Sequence, residues 1–176
     1  IRDLIESWPD ESTLVWCKYN AEQDTIEQAL PDAASMRGAT IADKRQAMLA
    51  EFKAGRCRTL VSKPDILGFG LNLQNCHKVV FVGLSDSWEA YYQCIRRCYR
   101  FGQNHPVTVR IVLSEPERAI YDNVKKKEAK AKHMSENLIA HVAQYEQAEL
   151  GIVHEDDHYE TDTVKSEVFT AMLGDS

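Results

Sequence analysis

The chain has 176 residues, 44 % of them hydrophobic and 27 % charged, with a formal net charge of −6, enough for one packed domain and an appendage. No apolar run approaches the roughly 20 residues that span a bilayer, and the opening Ile1-Arg2-Asp3-Leu4-Ile5-Glu6 lacks the basic-then-apolar pattern of a signal peptide. Five cysteines, an odd number without a Cys-x-x-Cys pair, argue against a disulfide framework or zinc ribbon and fit a reducing cytoplasm. With no initiator Met and an abrupt end at Gly174-Asp175-Ser176, the chain is expected to be a fragment of something longer.

The charge is unevenly spread. Residues 1–113 carry +1, residues 114–132 carry +2 and residues 133–176 carry −9. An acidic end therefore hides a nearly neutral body with local basic clusters, and the total charge does not exclude nucleic acid.

In chain order, the first strand is expected at Thr13-Leu14-Val15-Trp16-Cys17, and Asn20 can cap a helix over 21–30 with Gln23 completing a capping box. Ala33-Ala34-Ser35-Met36 is a candidate short strand. Residues 41–54 place Ile41, Ala47, Met48 and Phe52 near one helical face, with Gly55 as the stop. Strands follow over 58–62 and 79–83, then a helix over 87–100 ended by Gly102 and Pro106, then a strand over 107–113. Ser114-Glu115-Pro116-Glu117 combines an N-cap, a first-turn Pro and an acidic first turn, opening a long polar helix to about residue 149. Residues 150–176 read as an acidic linker or tail. Apolar strands alternating with helices predict an α/β class with a mostly parallel central sheet.

The segment Gln93-Cys94-Ile95-Arg96-Arg97-Cys98-Tyr99-Arg100-Phe101-Gly102-Gln103 is the most informative. On a continuous helix Gln93, Arg97 and Arg100 share one face. Two guanidinium groups so placed repel each other unless they converge on a multiply anionic group, for which their planar donor fork suits phosphate. The alternative is an amphipathic helix with a solvated basic face.

Gln-x-x-x-Arg-x-x-Arg-x-Gly-Gln resembles motif VI of superfamily 2 helicases, and its Arg-x-Gly-Gln ending is similar to the Swi/Snf-like branch. The resemblance implies a RecA-like three-layer fold over residues 1–113, with a helical extension over 114–149. It implies that Arg97 and Arg100 reach ATP phosphates across a cleft, with Arg100 the better candidate for the arginine finger. Such a finger contributes ~10³–10⁵ in rate, roughly 4–7 kcal/mol of barrier, far beyond a surface salt bridge. Ser62-Lys63-Pro64-Asp65-Ile66-Leu67-Gly68-Phe69-Gly70-Leu71-Asn72-Leu73 resembles motif V. It implies that Gly68, Gly70 and Asn72 join Gln93 at the ATP site while Ser62 and Lys63 meet a DNA phosphate. Leu14-Val15-Trp16-Cys17-Lys18-Tyr19-Asn20 resembles motif IV, and Arg37-Gly38 with Lys44-Arg45 and Phe52 resembles the spacing after it. These add Lys18, Asn20, Arg37 and Gly38 as nucleic-acid contacts, beside the simpler roles of a cap for Asn20 and a pair with Glu51 for Arg45.

There are departures from the branch. The motif V segment has one residue more than the branch pattern, with Pro64-Asp65 in place of small residues. Arg96 stands where Asp is usual, and Trp88 has no following Asn-Pro. Ser-Trp-Glu-x-Tyr-Tyr-Gln before the arginines resembles helicases of phages and bacterial restriction or defence loci. Val168-Phe169-Thr170-Ala171-Met172-Leu173-Gly174-Asp175-Ser176 resembles the opening of some DNA amino-methyltransferases, which suggests a fused or associated methyltransferase.

No Gly-x-x-x-x-Gly-Lys-Ser/Thr loop or Asp-Glu-x-His strand occurs. The ATP site is therefore expected to be shared with an absent N-terminal lobe that holds the magnesium, and the chain is not expected to hydrolyse ATP by itself. The function implied is the second lobe of an ATP-dependent DNA helicase or translocase acting on double-stranded DNA in the cytoplasm, with no membrane partner. The alternative is a RecA-like scaffold that binds nucleic acid or protein without ATP turnover. No metal site is expected. His154-Glu155-Asp156-Asp157-His158 matches no zinc or calcium loop of known spacing; Cys94 and Cys98 with Cys76-His77 read as small-residue packing, although surrounding arginines favour thiolates; and Lys125-Lys126-Lys127 with Lys130 and Lys132 reads as either a solvated face or a backbone contact.

Overall fold

The computed structural model describes residues 1–67, 71–150 and 165–170, with residues 141, 144–150 and 165–170 described for their backbone only. In chain order the elements are α1 (Arg2–Glu6), β1 (Thr13–Cys17), α2 (Asn20–Ala29), β2 (Ala34–Ser35), α3 (Ala42–Lys53), β3 (Thr59–Ser62), β4 (Lys78–Val82), α4 (Trp88–Ile95), β5 (Thr108–Leu113), a 3-10 turn (Glu115–Glu117), α5 (Arg118–Leu150) and β6 (Lys165–Thr170). The sheet order is β2-β3-β1-β4-β5-β6 and every pairing is parallel. Thus β1 lies between β3 and β4, with Val15 opposite Val61 on one side and Val80 on the other.

Alternation along the strands divides the core in two. Leu14, Trp16, Leu60, Val79 and Phe81 face one side, where Phe52 of α3, Tyr91 and Ile95 of α4 and Val124 of α5 pack on them. Val15, Cys17, Val61 and Val80 face the other, against Ile5 of α1 and Ile26 of α2. The result is the three-layer α/β arrangement expected from the sequence. Arg58 seals one end of α1 by donating to the Ile5 and Trp8 carbonyls, both at 2.8 Å.

Local signals decide several boundaries. Gly55, at φ 72°, ends α3, with Gly55 N–H donating to the Phe52 carbonyl and Arg56 N–H to that of Glu51. Ser114 opens the last helical run as expected, its N–H and hydroxyl donating to Glu117 Oε2 at 2.8 and 2.6 Å. At α2 the cap is shifted: Glu22, not Gln23, accepts the Lys18 and Tyr19 N–H groups. Gln23 is buried instead and donates to Ser35 Oγ and the Met36 carbonyl. Ile41 is exposed, because α3 begins only after it. The expectation of an acidic linker over 150–176 is corrected at Lys165–Thr170, which pairs in parallel with β5. The N–H and C=O groups along that edge of β5 offer partners that composition does not reveal.

Burial holds the core thiols protonated far above their ordinary value of 9.0, Cys17 at about 11 and Cys94 at about 12, with desolvation the leading cause in both. From about pH 9 the unfolded chain releases these protons while the folded chain retains them, so the unfolded state binds fewer protons and stability falls as pH rises. Urea titrations are expected to show declining stability from about pH 9 upward, with a shallower decline for Cys94→Ala. A stability that climbs across that window would contradict the assignment.

Candidate functional site

The carboxyl ends of β1, β3 and β4 bring Trp16 to Lys18, Ser62 to Asp65, and Gly83 to Ser85 to one end of the sheet, where open α/β sheets form their ligand crevices. Ser87 caps α4, its hydroxyl accepting the Ala90 N–H at 3.1 Å, and the helix covers this end. Two adjoining chambers result. The first, of about 330 Å³, is lined by Asp65, Ser87, Glu89, Gln93 and Arg97 among others. The second, of about 190 Å³, is lined by Lys18, Lys63, Phe81, Leu84 and Tyr91 among others. Trp16, Pro64, Asp65, Ala90 and Cys94 belong to both.

Trp16 is the shared wall. It is 1 % exposed, and its Nε1–H has no hydrogen-bond acceptor among the described residues. A buried donor left unpaired costs about 1–3 kcal/mol.

The expected helix over 87–100 ends at Ile95, where the backbone tightens into i→i+3 turns, Arg97 N–H donating to the Cys94 carbonyl and Cys98 N–H to that of Ile95. Arg97 C=O accepts the Leu73 N–H at 2.9 Å. Cys98 C=O accepts from Gln103 Nε2, which also donates to the carbonyls of Gln74 and Cys76, all at 3.1–3.2 Å. These carbonyls serve the loop before β4 instead of a continuing helix. Arg97 and Arg100 therefore do not share a helical face. Arg97 is buried, with 9 % exposure, and lines the first chamber beside Gln93. Arg100 is exposed in a separate hollow of about 690 Å³ with Arg96, Phe101 and His105.

The motif IV and V residues separate into those that meet and those that do not. Lys63 Nζ donates to Asn20 Oδ1, so Asn20 holds a lysine rather than capping α2. Lys18 lines the same chamber as Lys63, and its ammonium lies 4.8 Å from the centre of the Tyr19 ring. A hydrogen bond to Tyr19 is the largest influence raising the Lys18 pKa. Ser62 is fully buried and its hydroxyl donates inward to the Met36 carbonyl at 3.3 Å. Arg37 is committed to Asp24 at 2.5 Å and Glu27 at 2.7 Å, and hydrogen bonds to Glu27 and then Asp24 raise its pKa. The Gly38 carbonyl accepts from Arg45, which ties up this loop through Thr40 as well, while Glu51 pairs with Arg56. Asn72 makes a local turn, exchanging hydrogen bonds with Gln74. Gly68 and Gly70 lie outside the described residues, as does the His154–His158 cluster.

Trp16, Asp65 and Gln103 emerge only here. Trp16 reads in the sequence as one more apolar strand residue, and Gln103 as the end of a motif. Three lysines of the basic run of α5 are tied to carboxylates: Lys127 to Asp86 at 2.9 Å, Lys125 to Glu128 at 2.6 Å and Lys132 to Glu136 at 3.9 Å. Cys76, Cys94 and Cys98 are buried in the core, and among the described residues no group of three or more His, Cys, Asp or Glu is placed to hold a metal ion. Among the same residues no helix is long and apolar enough to cross a membrane.

Residues 1–102 match the family described as the helicase conserved C-terminal domain. The chain is 30 % identical over 117 residues to the ATP-dependent RNA helicase eIF4A of Yarrowia lipolytica, covering 64 % of this chain and 29 % of that protein. It is 27 % identical over 124 residues to eukaryotic initiation factor 4A of Dictyostelium discoideum, covering 68 % and 30 %. In fold it is similar to the crystal structure of the C-terminal part of the Fun30 ATPase domain, with a TM-score of 0.61, 20 % identity and coverage of 70 % of this chain and 43 % of that one. The chain thus spans about three tenths of the length of these curated relatives.

Gln103→Ala removes three donor contacts that hold the Arg97–Gln103 segment on the loop before β4. It is expected to cost about 1–3 kcal/mol, seen as a lower urea midpoint at an unchanged slope. An unmoved midpoint would remove the clamp from the account.

Proposed function

Because this chain belongs to the helicase conserved C-terminal domain family, we propose that it is the second motor lobe of an ATP-dependent DNA helicase or translocase. The observation that carries the reading is a buried arginine, Arg97, lining a cleft with Gln93 at the carboxyl ends of the parallel strands. ATP with magnesium, the metal held by an N-terminal lobe, supplies the phosphoryl group whose hydrolysis drives the cycle. Arg97 offers a planar set of donors suited to phosphate oxygens, and Gln93 adds an amide beside it. Asp65 and Glu89 line the same chamber, so an entering polyphosphate also needs the cations of the N-terminal lobe. Arg100, outside this chamber and exposed, is free of the burial that restrains Arg97 and reaches a nucleotide when the lobes close. Lys18 and Lys63, with Asn20, hold the nucleic-acid backbone.

The Arg-x-Gly-Gln ending favours double-stranded DNA. A second reading, RNA, is favoured by relatives whose names describe RNA helicases. In a protein carrying both lobes, Arg97→Ala and Arg100→Ala are each expected to lower nucleic-acid-stimulated ATP hydrolysis by about 100-fold or more while nucleic-acid binding survives. Stimulation by duplex DNA over RNA supports the first reading, and the reverse supports the second. A wild type without nucleic-acid-dependent turnover makes the chain a RecA-like scaffold instead. A methyltransferase fused or associated with the motor is a further part of this proposal, supported by the pattern beginning at Val168.

A further inference from the structure

The second half of α5 runs beyond the domain. Ile120, Tyr121 and Val124 in its first turns pack on the core, whereas every residue from Lys132 to Ala140 is exposed. The sequence of the exposed stretch is nonetheless patterned for burial. Leu138, Ile139 and Val142 stand 18 residues beyond Ile120, Tyr121 and Val124, which is about five helical turns. They repeat, on the same face, the apolar group that docks the helix on its own domain. With Met134 they form a stripe of large apolar side chains, 63, 65, 66 and 47 % exposed for Met134, Leu138, Ile139 and Val142. Among the described residues nothing covers it. An apolar stripe that continues at helical spacing without cover marks an interaction surface.

Charge indicates the occupant. Residues 118–132 carry six Lys or Arg against two Asp or Glu, whereas residues 133–150 carry three Glu and no Lys or Arg. The stripe, centred on Leu138, begins where the sign changes. A second α5 laid antiparallel across Leu138 brings the basic segment of each copy against the acidic segment of the other, while a parallel copy sets like charge on like. Such a contact is self-complementary and closes with two-fold symmetry. We propose that α5 pairs antiparallel with α5 of a second copy of this chain, apolar stripe on apolar stripe.

The test is sedimentation equilibrium of the 176-residue chain in a reducing buffer, which keeps its five cysteines from linking copies. The mass is expected to rise from one chain towards two between about 1 and 100 µM. Leu138→Glu should weaken association about 100-fold or more, because symmetry places the change twice in the interface. That variant keeps its core, to which Leu138 does not contribute. Lys130→Glu with Lys132→Glu removes the basic excess, which should weaken an antiparallel pair about 3- to 10-fold at low salt and tighten a parallel one. A chain that stays monomeric throughout, or a dimer that survives Leu138→Glu, overturns the proposal. A dimer that the lysine reversal leaves unchanged or tightens overturns the antiparallel arrangement. A monomeric chain whose two-lobed parent is destabilised by Leu138→Glu assigns the stripe to the N-terminal lobe instead.

Discussion

Two backbone carbonyls set the geometry on which the candidate site depends. Those of Arg97 and Cys98 accept from the Leu73 N–H and the Gln103 side chain, partners that lie outside α4. The backbone has already tightened before them, Arg97 N–H donating to the Cys94 carbonyl and Cys98 N–H to that of Ile95, so α4 ends at Ile95 and the motif beyond it folds against the loop before β4. Burial reinforces the turn, since Cys98 is fully enclosed between Cys76 and the core. One consequence is that two arginines three residues apart serve different surfaces: Arg97 is enclosed in the cleft and Arg100 stands outside it.

The sheet supplies the second constraint. With β1 central and parallel to both β3 and β4, three strand ends converge and deliver Trp16, Lys63 and Leu84 to one place. Cations near this end differ in availability. Arg37 is held by two carboxylates, whereas Lys63 is held by the neutral Asn20 side chain, a partner that does not neutralise its charge. An approaching phosphate therefore competes with an amide at Lys63 but with two carboxylates at Arg37. This difference favours Lys63 over Arg37 as a backbone contact.

The two chambers share Trp16, Pro64 and Asp65, so an occupant of one touches walls of the other. On the motor reading proposed above, the segment after Ser62, which borders both chambers, is where coupling between nucleotide and strand is to be sought.

Hydrophobic alternation and continuous β-branched runs sufficed to place the main strands, the α/β class and the parallel sheet, because those features follow from backbone periodicity and the need to cover both sheet faces. Gly55 and the Ser114–Glu117 box were equally legible, being local chemistry within a few residues. The motif VI pattern pointed to Gln93, Arg97 and Arg100 together, of which Gln93 and Arg97 line one chamber and Arg100 lies outside it. Other features rest on partners distant in sequence. Leu73 and Gln103 hold the segment after α4, Met36 takes the Ser62 hydroxyl inward, Asn20 meets Lys63 across 43 positions, and β6 joins the open edge of β5. Periodicity and motif spacing determined which elements form and which residues are chemically apt. Only tertiary structure decided which groups face a cleft, because a hydrogen bond or burial contributed by a remote segment outweighs a local helical preference.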